Sequence, residues 1–244
     1  MEKHNESALH RTSGWSERFQ DYLAEFVYGS IDGSVTTFAV VAGSAGAGLD
    51  AAVVIILGFA NLIADGFSMS VGSYLSHKSE KENFEKHRQI EYWEVDNIPE
   101  KEREEIREIY AAKGFKGELL QQVVEVITAD RDRWVDTMMK EELEMMDSSK
   151  SAIGMAVATF LAFVVVGLVP LIIYVYDYAT GQHTEQAFVI SSVLTSVAFI
   201  VIGFLKAHIN QASKVKGVLE TLFLGASAAA LAYLVGNLLE SLLR

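Results

Sequence analysis

Long apolar stretches constrain the fold of this chain more than any other feature of its sequence. Five stretches each hold at most one charged residue: 26–49, 51–76, 151–176, 186–205 and 221–239. About 20 apolar residues are enough for a helix to cross the hydrocarbon core of a bilayer. The sequence therefore predicts an all-α membrane protein with five transmembrane helices, and Pro170 predicts a kink in the third of them.

Between the second and third spans lies a polar segment, residues 77–150, with 20 of the 32 acidic residues and 13 of the 20 basic ones. Its apolar residues recur every three or four positions, which is typical of amphipathic helices. Pro99 suits a first helical turn and Gly114 a helix end. The pattern predicts an insert of three helices, which span residues 78–96, 99–113 and 117–147. The predicted domains are residues 1–76 (the N-terminal segment with spans one and two), 77–150 (the acidic helical insert) and 151–244 (spans three to five).

The placement of lysine and arginine predicts the orientation. In a five-span order, the N-terminal segment, the insert and the 206–216 loop share one side and hold 19 of the 20 basic residues. The positive-inside rule assigns that side to the cytosol. We therefore expect a cytosolic N-terminus, a cytosolic insert and a C-terminus outside. Residues 1–20 carry no signal-peptide pattern.

Several classes of protein are disfavoured by what the sequence contains. A net charge of −12 disfavours nucleic acid as a partner. The chain has no cysteine, which excludes disulfides, thiolate metal sites and cysteine nucleophiles. It also contains no G-x-x-x-x-G-K-[ST] phosphate loop, no H-E-x-x-H and no Glu-x-x-His. Nothing in the sequence indicates an enzyme or a bound cofactor.

Two acids lie inside predicted spans. An ionised carboxylate at the bilayer centre costs about 2.5–3.5 kcal/mol on insertion scales, so Asp32 and Asp65 are candidate functional residues. The alternative is a neutral acid that only links helices by hydrogen bonds. Asn61, Asp65 and Met69 are four residues apart and share one helix face. A thioether among oxygen ligands favours softer metals than magnesium or calcium, although Met69 alone would also suit apolar packing.

Small residues surround Asp32 in the first span. Gly29 and Gly33 form a G-x-x-x-G pattern, which lets helix backbones approach closely in lipid. The pattern predicts an interface, either with another helix of the chain or with a second copy.

The polar insert offers a second set of candidate metal ligands. Two pairs of glutamates are spaced three residues apart, so that each pair converges on one side of its helix. Two adjacent methionines lie within one turn of a further glutamate. These candidate ligands are Glu91, Glu94, Glu102, Glu105, Met138, Met139 and Glu142. The alternatives are a solvated charged face for the glutamates and helix packing for the methionines.

Two motifs resemble signatures of the vacuolar iron transporter family, in a form similar to its prokaryotic-type members. Residues 28–38, YGSIDGSVTTF, are similar to its D-G-x-x-T-T-F signature. Residues 64–76, ADGFSMSVGSYLS, are similar to its S-M-x-x-G-x-Y-L-S signature. The resemblance extends to the acidic helical insert. One departure is Ser73, which stands where many members have glutamate, and Asp65 is the candidate substitute.

The resemblance implies a homodimer of five-span subunits whose first spans line the pathway. It also implies exchange of cytosolic Fe²⁺, as substrate, for protons. Asp32 and Met69 then become pathway residues, with Asn61 and Asp65 beside them. The seven glutamates and methionines of the insert fall where the family binds metal.

The sequence thus predicts export of ferrous iron from the cytosol, with protons returning through Asp32 or Asp65. Two alternatives remain open. The same fold would also suit export of Mn²⁺, Co²⁺ or Zn²⁺. Alternatively, the chain is a non-transporting membrane metal buffer or scaffold, with the insert as an interaction domain. The polar residues inside the spans disfavour a scaffold. The expected location is a prokaryotic cell membrane, or a vacuolar membrane if the source is eukaryotic.

Overall fold

The structure, a computed structural model, describes residues 14–147, 150–182 and 184–243, and for residues 14–21 the backbone alone. Lys3 and Arg11, two of the basic residues behind the orientation prediction, lie outside this range. The chain forms two compact units. The first comprises the described residues up to Tyr74 together with those from Ser151 onward, and the second comprises Leu75–Lys150.

Every element of secondary structure in the described residues is helical, which confirms the all-α prediction for that part of the chain. The elements are α1 Gly14–Gly46, α2 Ala51–Asn97, α3 Pro99–Ala112, α4 Gly117–Thr128, α5 Arg131–Glu141, α6 Ala152–Gly167, a 3₁₀ helix Val169–Leu171, α7 Ile172–Thr180, α8 Ala187–Ile209 and α9 Lys214–Leu243.

Four helical stretches in the described residues are long and apolar enough to cross a membrane. They are α2, the continuous stretch from α6 to α7, α8 and α9, and they coincide with four of the five predicted spans. Helix α1, which holds the first predicted span, is long enough but less apolar, because glycine, serine and threonine alternate with its aliphatic residues. The count of five spans therefore stays a prediction.

Helix α1 is the central helix of the first unit and packs against α6, α8 and α9. Its glycines make close backbone contacts possible. A Cβ atom on Gly33 would lie 2.4 Å from the carbonyl oxygen of Phe163, and one on Gly29 would lie 2.6 Å from that of Thr159. The G-x-x-x-G pattern therefore forms an interface with α6 of the same chain.

Pro170 interrupts the helical stretch from α6 to α7, as predicted. Helix α6 ends at Gly167, and a 3₁₀ turn leads into α7. Proline has no N–H to donate and its ring collides with the preceding turn, so a regular α-helix cannot continue through it. The Ser191 hydroxyl donates a hydrogen bond of 2.6 Å to the Pro170 carbonyl oxygen, which satisfies an acceptor at the break.

The second unit differs from the predicted insert in two places. Its first helix is the continuation of α2. Residues 73–98 contain neither proline nor glycine, so nothing in the sequence ends the helix before Pro99. The predicted helix 117–147 is wrong as a single element. It breaks after Thr128, where the Asp130 side chain accepts a hydrogen bond of 2.8 Å from the Arg133 N–H and so caps a new helix. Helix α3 agrees with the prediction of 99–113 to within one residue.

An apolar core holds the second unit together. Helix α3 packs against α4, and α4 packs against α5. The buried side chains on their inward faces are Ile106, Val124, Trp134, Val135, Met138 and Met139. The core fixes the ends of α2, α3 and α5 in relation to one another, and these ends carry the acidic side chains described below.

Candidate metal-binding sites

Three glutamates from three different elements converge in the second unit. Glu91 lies near the end of α2, Glu102 lies in the first turn of α3, and Glu142 follows α5 directly. One carboxylate oxygen of each lies within 4.8 Å of the other two. Several carboxylate oxygens around one point form the kind of ligand set that binds a divalent cation.

Two of these carboxylates are buried, with oxygens left unpaired among the described residues. The side chains of Glu91 and Glu102 are 3% and 1% exposed, whereas Glu142 is exposed. In the described part of the chain, Oε2 of Glu91 and both carboxylate oxygens of Glu102 accept no hydrogen bond. A buried acid without a partner is costly. A bound cation would supply the missing partner.

The environment favours the neutral form of these acids when no cation is bound. Burial, and then the negative charges of Glu142, Glu94 and Glu105, raise the pKa of Glu91 to about 7. Burial, and then the charges of Glu105 and Glu94, raise the pKa of Glu102 to about 7. Protons and a divalent cation therefore compete for the same oxygens near neutral pH.

Glu142 has the same neighbours but is open to solvent. Partial desolvation, and then the charges of Glu105 and Glu94, raise its pKa, while the nearby Lys101 lowers it. The exposed side of the three-glutamate group is therefore the side from which a cation would enter.

The structure places Glu94 and Glu105 next to the group rather than within it. Lys101 Nζ lies 2.8 Å from Oε1 of Glu105, and the charge of Glu94 acts on all three clustered acids. Sequence reasoning missed Lys101, which offsets part of the local negative charge. Its spacing of four residues from Glu105 is the signal that would have identified it.

The two predicted methionine ligands lie in the apolar core. Met138 and Met139 are fully buried and pack with Ile106 and Trp134. The N–H of Glu142 donates to the Met138 carbonyl oxygen at 3.0 Å, so Met138 lies one turn from the three-glutamate group. Packing accounts for the burial of both methionines, and a thioether–metal bond stays a prediction.

The first unit brings together the acids predicted inside the spans. Asp32 on α1 and Asp65 on α2 are both half-buried, and their carboxylates interact electrostatically. Asn61 and Met69 share the half-buried face of α2 with Asp65. In the described residues, Nδ2 of Asn61 is buried without a hydrogen-bonding partner. The predicted row on α2 therefore lies beside the acid on α1.

Met69 and Ser73 extend this face of α2. Met69 packs against the core of the first unit, and Ser73 is half-buried two turns beyond Asp65. The hydroxyl of Ser70, between them, donates a hydrogen bond of 2.9 Å to the Ala156 carbonyl oxygen of α6. Oxygen and thioether groups thus follow one another along α2.

Comparison with known proteins gives consistent similarities over nearly the whole chain. A family model described as the VIT family matches residues 23–237. A protein of Toxoplasma gondii named vacuolar iron transporter is 36% identical over 90% of this chain and 75% of its own length. Proteins named vacuolar iron transporter 1 from Tulipa gesneriana and Arabidopsis thaliana are 32% and 30% identical, over 91% and 90% of this chain and 88% and 87% of their own lengths.

Proposed function

The chain belongs to the VIT family, and on that premise we propose that it transports a divalent transition metal across a membrane. The relatives' names refer to iron transport, so Fe²⁺ is the first substrate to test, ahead of Mn²⁺, Co²⁺ and Zn²⁺. We propose export from the cytosol, with protons moving in the opposite direction. The relatives are named as transporters, and no step of this proposal is enzymatic.

One observation carries the proposal: the three-glutamate group, with buried carboxylate oxygens that accept no hydrogen bond in the described residues. Glutamates on a merely solvated face would point into water, where their hydration would be complete. Here two of the three are removed from water and left for a cation to neutralise. We propose that this group collects the metal, with Glu94 and Glu105 adding to the local negative charge.

Asp32, Asn61, Asp65 and Met69 form the proposed pathway. Two carboxylates that interact within a membrane are stable together only if a cation or a proton lies between them or one of them is neutral. This requirement links the passage of a metal ion to the movement of a proton. Oxygen and thioether ligands together suit a borderline metal such as Fe²⁺.

A homodimer is part of the proposal. The first half of α2 leaves large apolar side chains exposed, including Ile56, Ile63 and Phe67. Lipid or a second copy would cover them. The half-buried faces of α1 and α2 that carry Asp32 and Asp65 are separate from this apolar stripe, which lies on the opposite side of α2, and in the proposed dimer they would line the pathway.

Flux through the purified protein in sealed vesicles tests the function. We expect Fe²⁺ to cross, with a rate that changes when a pH gradient is imposed, and vesicles without protein give the background. A rate indifferent to the gradient would contradict proton coupling. Metal retained only in proportion to the amount of protein would instead support the alternative of a membrane metal buffer.

A further inference from the structure

Two cavities follow the same faces of α1 and α8 and belong to neither candidate metal site. The first has a volume of about 380 Å³, and the described residues that line it are apolar side chains of α1, α6, the 3₁₀ helix and α8 together with the polar Ser30. The α8 residues that line it recur every three or four positions, from Leu194 to Leu205. They therefore form one continuous stripe along α8.

The second cavity continues this stripe toward the end of α8. Its volume is about 750 Å³, and its lining includes Leu23, Ala207, His208 and Lys214. Leu23 lies one turn before the part of α1 that lines the first cavity, and His208 lies one turn after Leu205. By helical register, the two cavities form one groove with an apolar part and a polar end.

The polar end carries an excess of positive charge. Residues 206–216, from the last turn of α8 to the first turn of α9, hold three lysines and no acid, in a chain whose net charge is −12. Lys206 lies 3.5 Å from Glu220. In the described residues, Lys214 and Lys216 have no carboxylate partner. The Phe204 ring contacts two residues that line the second cavity, Lys214 and His208. Lys214 Nζ lies 4.9 Å from the centroid of the ring, and the His208 ring stacks on it with 6.3 Å between the centroids.

We propose that this groove binds an anionic phospholipid, with an acyl chain in the apolar part and the phosphate group at Lys214 and His208. The inference rests on α8 crossing a membrane and not on which ion is carried. The stripe from Leu194 to Leu205 covers about 16 Å at 1.5 Å per residue. This is about half of the roughly 30 Å hydrocarbon core, which is the depth of one leaflet. The acyl chain of a phospholipid in one leaflet would therefore fill the apolar part, and the headgroup of the same lipid would reach Lys214.

The charge of the polar end selects the headgroup. A zwitterionic headgroup carries a compensating positive charge, which would lie close to Lys214. An anionic headgroup such as phosphatidylglycerol has no such charge. Each lysine near an anionic lipid surface strengthens binding by about fivefold.

Native mass spectrometry of the full chain, released from detergent with defined lipids added, tests the proposal. The probes are palmitoyl-oleoyl phosphatidylglycerol and the matching phosphatidylcholine. We expect the parent protein to retain phosphatidylglycerol preferentially, and Lys214→Gln with Lys216→Gln to lower that preference at least fivefold. Lys81→Gln with Lys86→Gln, which removes two exposed lysines of the second unit, is the control of equal charge and should leave the preference unchanged.

A second variant tests the apolar part independently. Ala198 lines it, and Ala198→Phe would fill it, so we expect reduced retention of both lipids at an unchanged headgroup preference. Equal retention of the two lipids by the parent, or the same preference in the lysine variant and its control, would overturn the proposal. A change from dimer to monomer in Ala198→Phe would assign the groove to a contact between copies and would also overturn it.

Discussion

Glu102 is the residue on which the candidate collecting site most depends. It is buried, and neither of its carboxylate oxygens accepts a hydrogen bond in the described residues. Glu102→Gln keeps the shape but removes one negative charge and one ligand oxygen. We expect the affinity of the full-length protein for Mn²⁺ or Co²⁺ to fall at least tenfold in isothermal titration calorimetry, since a ligand lost from a carboxylate site removes a charge-assisted contact.

Glu104→Gln is the matched control for that variant. Glu104 lies on the same helix, is exposed and pairs with Arg107. Exposed ion pairs contribute about 0–1 kcal/mol, so both stability and metal affinity should stay close to those of the parent. Equal affinities in the Glu102 and Glu104 variants would mean that the three-glutamate group is only a charged surface.

The raised pKa values of Glu91 and Glu102, about 7 against an ordinary 4.5, predict how stability depends on pH. The folded protein binds more protons than the unfolded chain between these values, so the free energy of unfolding falls as pH rises through this window. The metal-free parent should therefore lose more thermal stability between pH 5 and pH 8 than the Glu91→Gln, Glu102→Gln double variant. Identical losses in the two proteins would contradict the raised pKa values of these two acids.

At the scale of helices, Gly33 fixes how closely α1 approaches α6. A Cβ atom there would lie 2.4 Å from a backbone oxygen that cannot move aside as a side chain can. We expect Gly33→Ala to lower the free energy of unfolding by about 1–3 kcal/mol, the usual cost of overpacking, as measured by thermal unfolding in detergent. Gly72→Ala on α2, where a Cβ atom meets nothing within 4 Å, should be neutral or slightly stabilising because alanine favours helix.

The sequence predicted those helices whose limits have local chemical causes. Apolar stretches with at most one charged residue located four spans, and Pro170 and Pro99 marked a kink and a helix start. The break after Thr128 was missed because no glycine or proline marks it. Its cause is a hydrogen bond from the Arg133 N–H to Asp130, which is visible only once the turn is formed.

The same limit applies to the candidate site. Helical spacing identified each pair of glutamates correctly as neighbours on one face, but spacing within a helix says nothing about other helices. In the structure, Glu91 of one pair and Glu102 of the other pair lie close to each other and to Glu142. That choice follows from how α2, α3 and α5 pack on the core, which is a tertiary property.

In the whole molecule, different groups of residues are proposed to collect the metal and to pass it across the membrane. The collecting group lies in the second unit, and the proposed pathway residues lie in the first. The Glu91→Gln, Glu102→Gln variant should therefore need a higher Fe²⁺ concentration for half-maximal flux and still reach the parental maximum. A lowered maximum with an unchanged half-maximal concentration would show that these glutamates belong to the translocation step.

Iron accumulation in sealed proteoliposomes by the parent and by Asp32→Asn shows whether metal crosses the membrane by way of the carboxylate of α1. Asparagine preserves the shape and hydrogen-bonding capacity of Asp32 while removing its charge and its titratable proton. The account predicts that the parent accumulates many ions per protein molecule, at a rate altered by a pH gradient. We expect Asp32→Asn, with the parental oligomeric state and thermal stability, to accumulate no Fe²⁺ beyond what its three-glutamate group binds. Accumulation by Asp32→Asn at the parental rate would contradict the account, because the metal would then cross without the carboxylate of α1.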